Sequence, residues 1–514
     1  MSILVFFNFF PLTEAALPFI PTITPATNLG FLLVSPLISI LRILLSVNAS
    51  REVQYSVGLG TATFIFLLSL LVSGAWTGSA GGFQLSFSVS LLPSVVLPIS
   101  FGVDGISLPF ILLTTLRHFL CVLSLSPSTP RLTDALVALT FLAAGVRATF
   151  AALDLLAFFI AFERTLIPIY FLVLIWGSRE RRVRASYLIS VYTLFGSIFR
   201  FFNLLYLFAK TGTTNYALLL DLALPIEDQR FLWITFFLAF AAKIPLFPLH
   251  IWLPEAHVEA PTIGSVLLAA LLLKLGTYGL VRFALPLFPE GTAFWSPVVT
   301  TFAVRGILYT SLTARRQIDL KKIIAYSSVG HINVVLLGLR AETSEGVQGG
   351  LFQRISHGIV SGALFFAVGV VYERYAVRSL KYFGGLAHRI PLFTLTFILF
   401  SLANIAFPLT SSFVGEFRIF LGLARHNFLA TIIAATSIVL GAVYTLWTVN
   451  RLLFGNLRTL SITSAQDRTR KEVALFSVLA FLLFSLGIQP TPLLDIFLLD
   501  TINLLEQARL GRLY

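Results

Sequence analysis

The chain has 514 residues, of which 57% are hydrophobic and only 11% charged, and its mean hydropathy is +0.91. A soluble chain carries about 25% charged residues, so this composition excludes a soluble globular protein and indicates a polytopic membrane protein. A single cysteine, Cys121, excludes an internal disulfide and a resident iron–sulfur cluster, which takes about four thiolates, and no glycine-rich nucleotide fingerprint sits between a strand and a helix. Redox chemistry linked to this chain therefore belongs on another subunit. The formal charge of +13 sits in short loops between apolar spans, which argues for membrane topology rather than nucleic-acid binding.

The first twenty residues, MSILVFFNFFPLTEAALPFI, are apolar and lack the Arg/Ser-rich amphipathic character of an organellar presequence, as expected for synthesis beside the target membrane. Windows of about 20 apolar residues give an all-α fold with about fourteen spans. Their centres fall near Leu37, Phe66, Leu113, Leu142, Ile160, Leu194, Phe236, Leu268, Val304, Val329, Phe365, Leu402, Ile438 and Ala480. The uncharged, Gly/Ser-rich and alternating stretch 77–103 reads as an extended or hairpin loop. Residues 489–514 carry Pro490 and Pro492 and then an amphipathic tail suited to lying along the membrane surface, in contact with lipid.

Loops leaving odd-numbered spans are basic. They hold Arg42 and Arg51; Arg179, Arg181, Arg182 and Arg184; Arg315, Arg316, Lys321 and Lys322; Arg374, Arg378, Lys381 and Arg389; and Arg458, Arg468, Arg470 and Lys471. Loops leaving even-numbered spans are mixed, as in Asp221, Glu227, Asp228 and Arg230, or Arg340, Glu342 and Glu345. The positive-inside rule puts the basic loops in the negative compartment and both termini on the positive side. Phe247-Pro248-Leu249 in the seventh span is echoed by Phe407-Pro408-Leu409 in the twelfth, which runs in the opposite direction. Proline breaks a helix and frees carbonyls, and inverted repeats with broken helices at midplane mark transporters.

Six ionisable residues lie well inside apolar windows: Glu163, Lys243, Lys274, His331, His357 and Glu416. A charge at bilayer depth costs about 2.5–3.5 kcal/mol on insertion scales, so it persists mainly where it faces a polar interior or a water path. Together these residues suggest a proton or ion route. A second rank, His250, Glu255, His257 and Glu259, lies at the end of the broken segment that follows Lys243. Structural alternatives stand beside each. Glu163 has Arg164 as a neighbour, Glu416 has Arg418 two positions on, and Lys243 has an interface to snorkel toward. The histidines have Ser327, Ser328, Ser356 and Ser361 nearby as structural partners. Asp154 and Arg200 are further buried-looking charges without a partner legible in the sequence. The coupling logic is electrostatic: desolvation lowers a buried lysine's pKa and a nearby carboxylate restores it. Moving Glu163 toward or away from Lys243 then switches the lysine's affinity for a proton.

WLPEAHVEAPTIGSVLLAALLLKLGTYGLVRF (Trp252–Phe283), DLKKIIAYSSVGHIN (Asp319–Asn333), ISHG (Ile355–Gly358) and FVGEF (Phe413–Phe417) closely resemble the antiporter-like, proton-translocating membrane subunits of respiratory complex I, NADH:ubiquinone oxidoreductase, in their mitochondrial chain 4 branch. The resemblance covers about half the chain and does not include the N-terminal hundred residues. It implies fourteen helices with inverted five-helix repeats and broken seventh and twelfth helices. It also implies a division into 1–130 (helices 1–3 and the extended loop), 131–290 (first repeat, helices 4–8), 291–456 (inverted repeat, helices 9–13) and 457–514 (last helix and tail). Glu163 and Lys243 become the coupling ion pair, Lys274 the central relay, His331 and His357 connecting groups, and Glu416 the distal site. Arg164, Arg200 and Arg418 depart from the family by placing positive charge where it usually has small or apolar residues. The implied setting is the mitochondrial inner membrane, as a multi-pass and organelle-encoded subunit, with a bacterial plasma membrane as the alternative. The implied partners are other membrane-arm subunits, including neighbouring antiporter-like chains. No redox cofactor is expected on this chain, whereas the complex is expected to carry FMN and iron–sulfur clusters and to use NADH and ubiquinone. The alternative function is a subunit of an Mrp-type cation/proton antiporter, and a third reading is a structural spacer.

Overall fold

A computed structural model of the chain describes residues 25–78, 81–90, 98–222, 224–456, 467–510 and 512. The apolar first twenty residues and Arg458 lie outside the described residues. The protein is about 80% helical, and 11 helices among the described residues are long and apolar enough to cross a membrane. The chain begins with α1 (Pro25–Leu45) and α2 (Arg51–Ala75), whose start Ser50 caps through its hydroxyl. The Gly/Ser-rich stretch then forms an antiparallel hairpin, β1 (Gln84–Ser90) against β2 (Pro98–Val103). This pair is the one departure from an all-helical class among the described residues, and it is where alternating small polar and apolar residues replace helical periodicity.

Next come α3 (Ser107–Ser124), α4 (Leu132–Ala151), α5 (Leu155–Arg164), α6 (Leu166–Trp176) and α7 (Arg182–Thr211). The Asp154 carboxylate starts α5 by accepting the Leu156 and Ala157 amides at 2.8 and 3.2 Å, and it also accepts the Thr214 hydroxyl. Asp154, a charge whose partners the sequence left open, is thus a helix cap. After the short α8 (Tyr216–Leu220), α9 (Ile226–Lys243) ends inside the bundle at Lys243, and the chain resumes as α10 (Trp252–Glu259). Pro245 and Pro248 occupy the gap, where a proline removes the amide donor that a continuing helix needs.

The remaining elements are α11 (Thr262–Leu287), α12 (Pro289–Arg316), α13 (Leu320–Arg340) and α14 (Ser344–Tyr375). They are followed by α15 (Pro391–Asn404), α16 (Ser411–His426), α17 (Phe428–Leu453), α18 (Arg470–Ile488) and α19 (Thr491–Leu510). Between α15 and α16 the chain breaks a second time, at Phe407-Pro408-Leu409.

Burial sorts the helices. α14 is 94% buried over its apolar window and α11 89%, whereas α17 and α18 are 28% buried and turn Leu, Ile and Phe outward. Large apolar side chains such as Phe428, Leu429 and Val439 are about two-thirds exposed, which suits contact with hydrocarbon. Inside the bundle the helices approach through small residues, as membrane helices do. A Cβ on Gly415 would meet Gln353 at 2.5 Å, and one on Gly422 would meet the Gly346 amide at 2.4 Å, so α16 lies against α14 backbone to backbone.

Candidate functional site

The charged side chains meet in the interior in two clusters, with Lys243 and Glu416 coming from the broken helices. In the first, Glu163 in the last turn of α5 forms an ion pair with Arg200 of α7. The Arg200 guanidinium lies 3.8 Å from the centre of the Phe162 ring, with Phe158, Phe159 and Phe240 also within 6 Å. Lys243, the last residue of α9, places its Nζ 5.1 Å from the same Phe162 ring. Glu163 therefore has two cations around one phenyl ring and is bonded to the arginine. Arg164 turns away and stacks 4.1 Å from the ring of Phe141.

The second cluster is a chain of contacts. Lys274 sits in α11 just after a π-helical turn, Leu268–Leu272, a feature often found at functional sites. Its Nζ donates to the Ala269 carbonyl of that turn and lies 3.0 Å from His357 Nδ1. The His357 and His331 rings are 5.7 Å apart, and His331 Nδ1 lies 2.8 Å from Glu416 Oε1. Gln353, one turn before His357 on α14, donates to the same Glu416 oxygen at 3.0 Å. Lys274, His357, His331 and Glu416 thus form one file from α11 through α14 and α13 to α16. The serines flanking the histidines have other partners: Ser327 and Ser328 donate to the Ile324 carbonyl, Ser361 to that of His357, and Ser356 shares hydroxyl contacts with Ser411 and Ser412. Arg418 bonds Gln348 rather than Glu416.

The two clusters meet where α11 crosses the end of α9. A Cβ on Gly276, two residues past Lys274, would meet Ile244, the residue after Lys243, at 2.7 Å. Arginines surround Lys274 as well. Arg354 donates to Thr277 Oγ1 at 3.1 Å, and the fully buried Arg117 donates to the Gly358 carbonyl. Reading the sequence for lysines, acids and histidines passes over these two, although each meets the same test of a charge inside an apolar window. Gln353 was legible too, as a polar residue four positions before His357.

The second-rank residues lie at the basic end of the bundle. Glu255 pairs with Lys322 at 2.9 Å, and both line a cavity of about 260 Å³ with Arg179, Glu259, Arg316 and Asp319. Behind it His257 is fully buried and stacked 4.5 Å from the Phe365 ring. Neither of its ring nitrogens has a hydrogen-bond partner among the described residues, and neither does Glu259 Oε2. His250 packs against Phe247 and Tyr309. Among the described residues no group of three or more His, Cys, Asp or Glu could hold a metal ion.

Comparison with known proteins gives the family. Residues 152–441 match the family described as NADH:quinone oxidoreductase/Mrp antiporter, TM. The chain is 41% identical to NADH-ubiquinone oxidoreductase chain 4 of Marchantia polymorpha, over 94% of this chain and 98% of that one. It is 42% identical to the same-named protein of Chondrus crispus, over 92% and 96%. Among solved structures, a chain of respiratory complex I from Thermus thermophilus aligns with a TM-score of 0.83 and 30% identity, covering 92% of this chain and 99% of that one. A chain of the Mrp complex from Dietzia shares the fold, with a TM-score of 0.81 at 20% identity over 94% of this chain and 98% of that one.

Proposed function

The chain belongs to the NADH:quinone oxidoreductase/Mrp antiporter family of membrane subunits, and from that premise we propose how it works as a proton-translocating subunit of respiratory complex I. Redox energy released by NADH oxidation and ubiquinone reduction on other subunits reaches this chain as a change in the field around Glu163. FMN and the iron–sulfur clusters belong to those subunits, and this one does no redox chemistry. Its partners are other membrane-arm subunits, neighbouring antiporter-like chains among them, and its setting is the mitochondrial inner membrane, as an organelle-encoded product.

The fold reading that goes with this is fourteen crossings, with α9–α10 as the broken seventh and α15–α16 as the broken twelfth. Residues 131–290 and 291–456 form two inverted five-helix repeats, flanked by 1–130 and 457–514. Protons enter from the basic face by way of the cavity at Glu255 and Glu259 and then His257, and load Lys274. They pass along His357 and His331 to Glu416 and leave from α16. Lys243 and Glu163 set when Lys274 is loaded.

The observation that carries this is the file Lys274–His357–His331–Glu416, with hydrogen-bond contacts at both ends and two imidazoles 5.7 Å apart between them. Histidine takes and gives protons near neutrality, which suits it to the middle of such a file. An Mrp-type antiporter subunit is the weaker reading, because the likeness to the Mrp chain is at 20% identity while that to chain 4 proteins is at 41%.

The test is Lys274→Met in the assembled complex, read as protons pumped per NADH oxidised in sealed vesicles. Pumping through this subunit is expected to stop, so the ratio falls while the complex remains present. Full assembly with a normal ratio would remove Lys274 from the route and favour the spacer reading. Sodium-driven exchange by the isolated chain would favour the antiporter.

A further inference from the structure

We propose that Arg200 is the resting partner of Glu163 and competes with Lys243 for its carboxylate, so that the coupling step is a swap of one carboxylate between two cations around Phe162. This rests on the reading of Glu163 and Lys243 as the coupling pair and names the group that reading lacks. Three observations carry it. Glu163 is bonded to Arg200, and among the described residues Lys243 makes neither a hydrogen bond nor an ion pair. Both cations address the same phenyl ring, and the Lys243 amine lies within the field of the Glu163 carboxylate, so one acid has two cations in its surroundings. Arg200 keeps two of its nitrogens, Nε and Nη1, without partners among the described residues, and four phenyl rings hold its guanidinium in place. Among the described residues Glu163 is the one acid it pairs with.

Chemistry assigns the two cations different work. A guanidinium stays protonated across the physiological range and presents a fixed fork of donors, whereas a buried amine gains and loses its proton readily. With Glu163 on Arg200, the arginine charge is neutralised and Lys243 is a desolvated amine without a counter-ion, which disfavours its proton. With Glu163 turned to Lys243, the amine holds a proton taken from the water-accessible interior. When the carboxylate returns to Arg200, that proton goes back to the interior, and the changed charge beside α11 sets when Lys274 is loaded. No bond other than N–H and O–H is made or broken. Arg200 is thus a positioning residue that gives the swap its second end point. The charged groups facing Arg200 are Glu163 on α5 and Lys243 on α9, since Arg164 lies on Phe141 instead.

The test uses the assembled complex in sealed vesicles and compares Arg200→Gln, Arg200→Lys, Glu163→Gln and the double variant Arg200→Gln/Glu163→Gln. Arg200→Gln is expected to cut the protons pumped per NADH oxidised through this subunit by at least about fivefold, the scale of an ordinary coupling energy. The double variant should be no worse than Glu163→Gln alone, because both remove the same swap. Arg200→Lys should pump at neutral pH and fail at high pH. Its alkaline limb should lie about one unit or more below the native one, because an amine, unlike a guanidinium, loses its proton there.

A purely structural arginine would not move that limb. Native pumping by Arg200→Gln beside a stalled Glu163→Gln would overturn the swap and leave the function standing. Native pumping by Glu163→Gln would sink both. If Arg200→Gln does not assemble, the pH profile of Arg200→Lys decides. Failure of both to assemble, or an unmoved alkaline limb, makes Arg200 a structural residue and refutes the proposal.

Discussion

Glu416 shows what a single buried carboxylate is asked to do. One of its oxygens receives both His331 and Gln353, at 2.8 and 3.0 Å, while Arg418 two positions on is engaged elsewhere. The carboxylate can therefore accept a proton from the imidazole without being locked to a permanent cation. Glu416→Gln keeps the size and the hydrogen-bonding capacity but removes the acid. Pumping through the subunit is expected to fall at least about tenfold, the equivalent of one pKa unit of lost proton affinity. The check is proton uptake measured against NADH oxidation at equal complex content, and unchanged pumping would take Glu416 out of the route. Much of this site was legible, because lysine, glutamate and histidine inside apolar windows violate the bilayer's energetics and so announce themselves. What was not legible is which charges touch. Arg164 adjoins Glu163 in sequence, yet Arg200, 37 residues later, is its partner. Adjacent helical residues point to different sides, and the pairing comes from the packing of α7 against α5, which no local pattern encodes.

At the scale of elements, the breaks were readable from proline and the hairpin from alternation, but the docking of the terminal helix was not. α19 runs across the face opposite the basic loops and is held there by Asp500. That carboxylate accepts the Gly82 amide at 2.8 Å and the Gly105 amide of the turn leading into α3. A Cβ on Gly105 would meet the Ile496 carbonyl at 2.1 Å, so only glycine admits the helix this closely. Close by, Asp104 is paired with Arg282 at 2.6 Å. Burial, and after it the neighbouring Asp104, raise the Asp500 carboxyl above its ordinary range. A raised carboxylate pKa means that the docked helix binds a proton more tightly than the released one. Docking should therefore strengthen as pH falls through the raised value toward the released-state value, and level off below that. Hydrogen exchange over residues 491–510 is expected to slow as pH is lowered from neutrality to the ordinary carboxylate range, beyond its intrinsic pH dependence, and Asp500→Asn should abolish that extra slowing. Equal extra protection in the native chain and in Asp500→Asn would assign the effect to another group.

For the whole molecule, the distribution of charge becomes a statement about orientation that the contacts between loops support. Lys321 donates to the Ala260 carbonyl, Arg378 to that of Val258, and Arg374 pairs with Glu472, so the basic loops gather on one face. On the other face Arg512 reaches Glu342 and the Glu290 amide donates to Gln229, bringing the mixed-charge loops together with the tail. The positive-inside rule then places the first face in the negative compartment. The protein supplies its own means of checking. Its single cysteine, Cys121, is buried, so an introduced thiol, read on this chain's own band, reports without background from the chain itself. Tyr382 is 58% exposed on the basic face and Leu222 is 39% exposed on the other. A membrane-impermeant maleimide should label Tyr382→Cys only in vesicles that turn the negative side outward, and Leu222→Cys only in those of the opposite orientation. Because a charged reagent cannot cross the hydrocarbon, labelling of both positions from one side would place the two faces in one compartment. A bundle so arranged could not carry protons from one side to the other along α11, α14, α13 and α16.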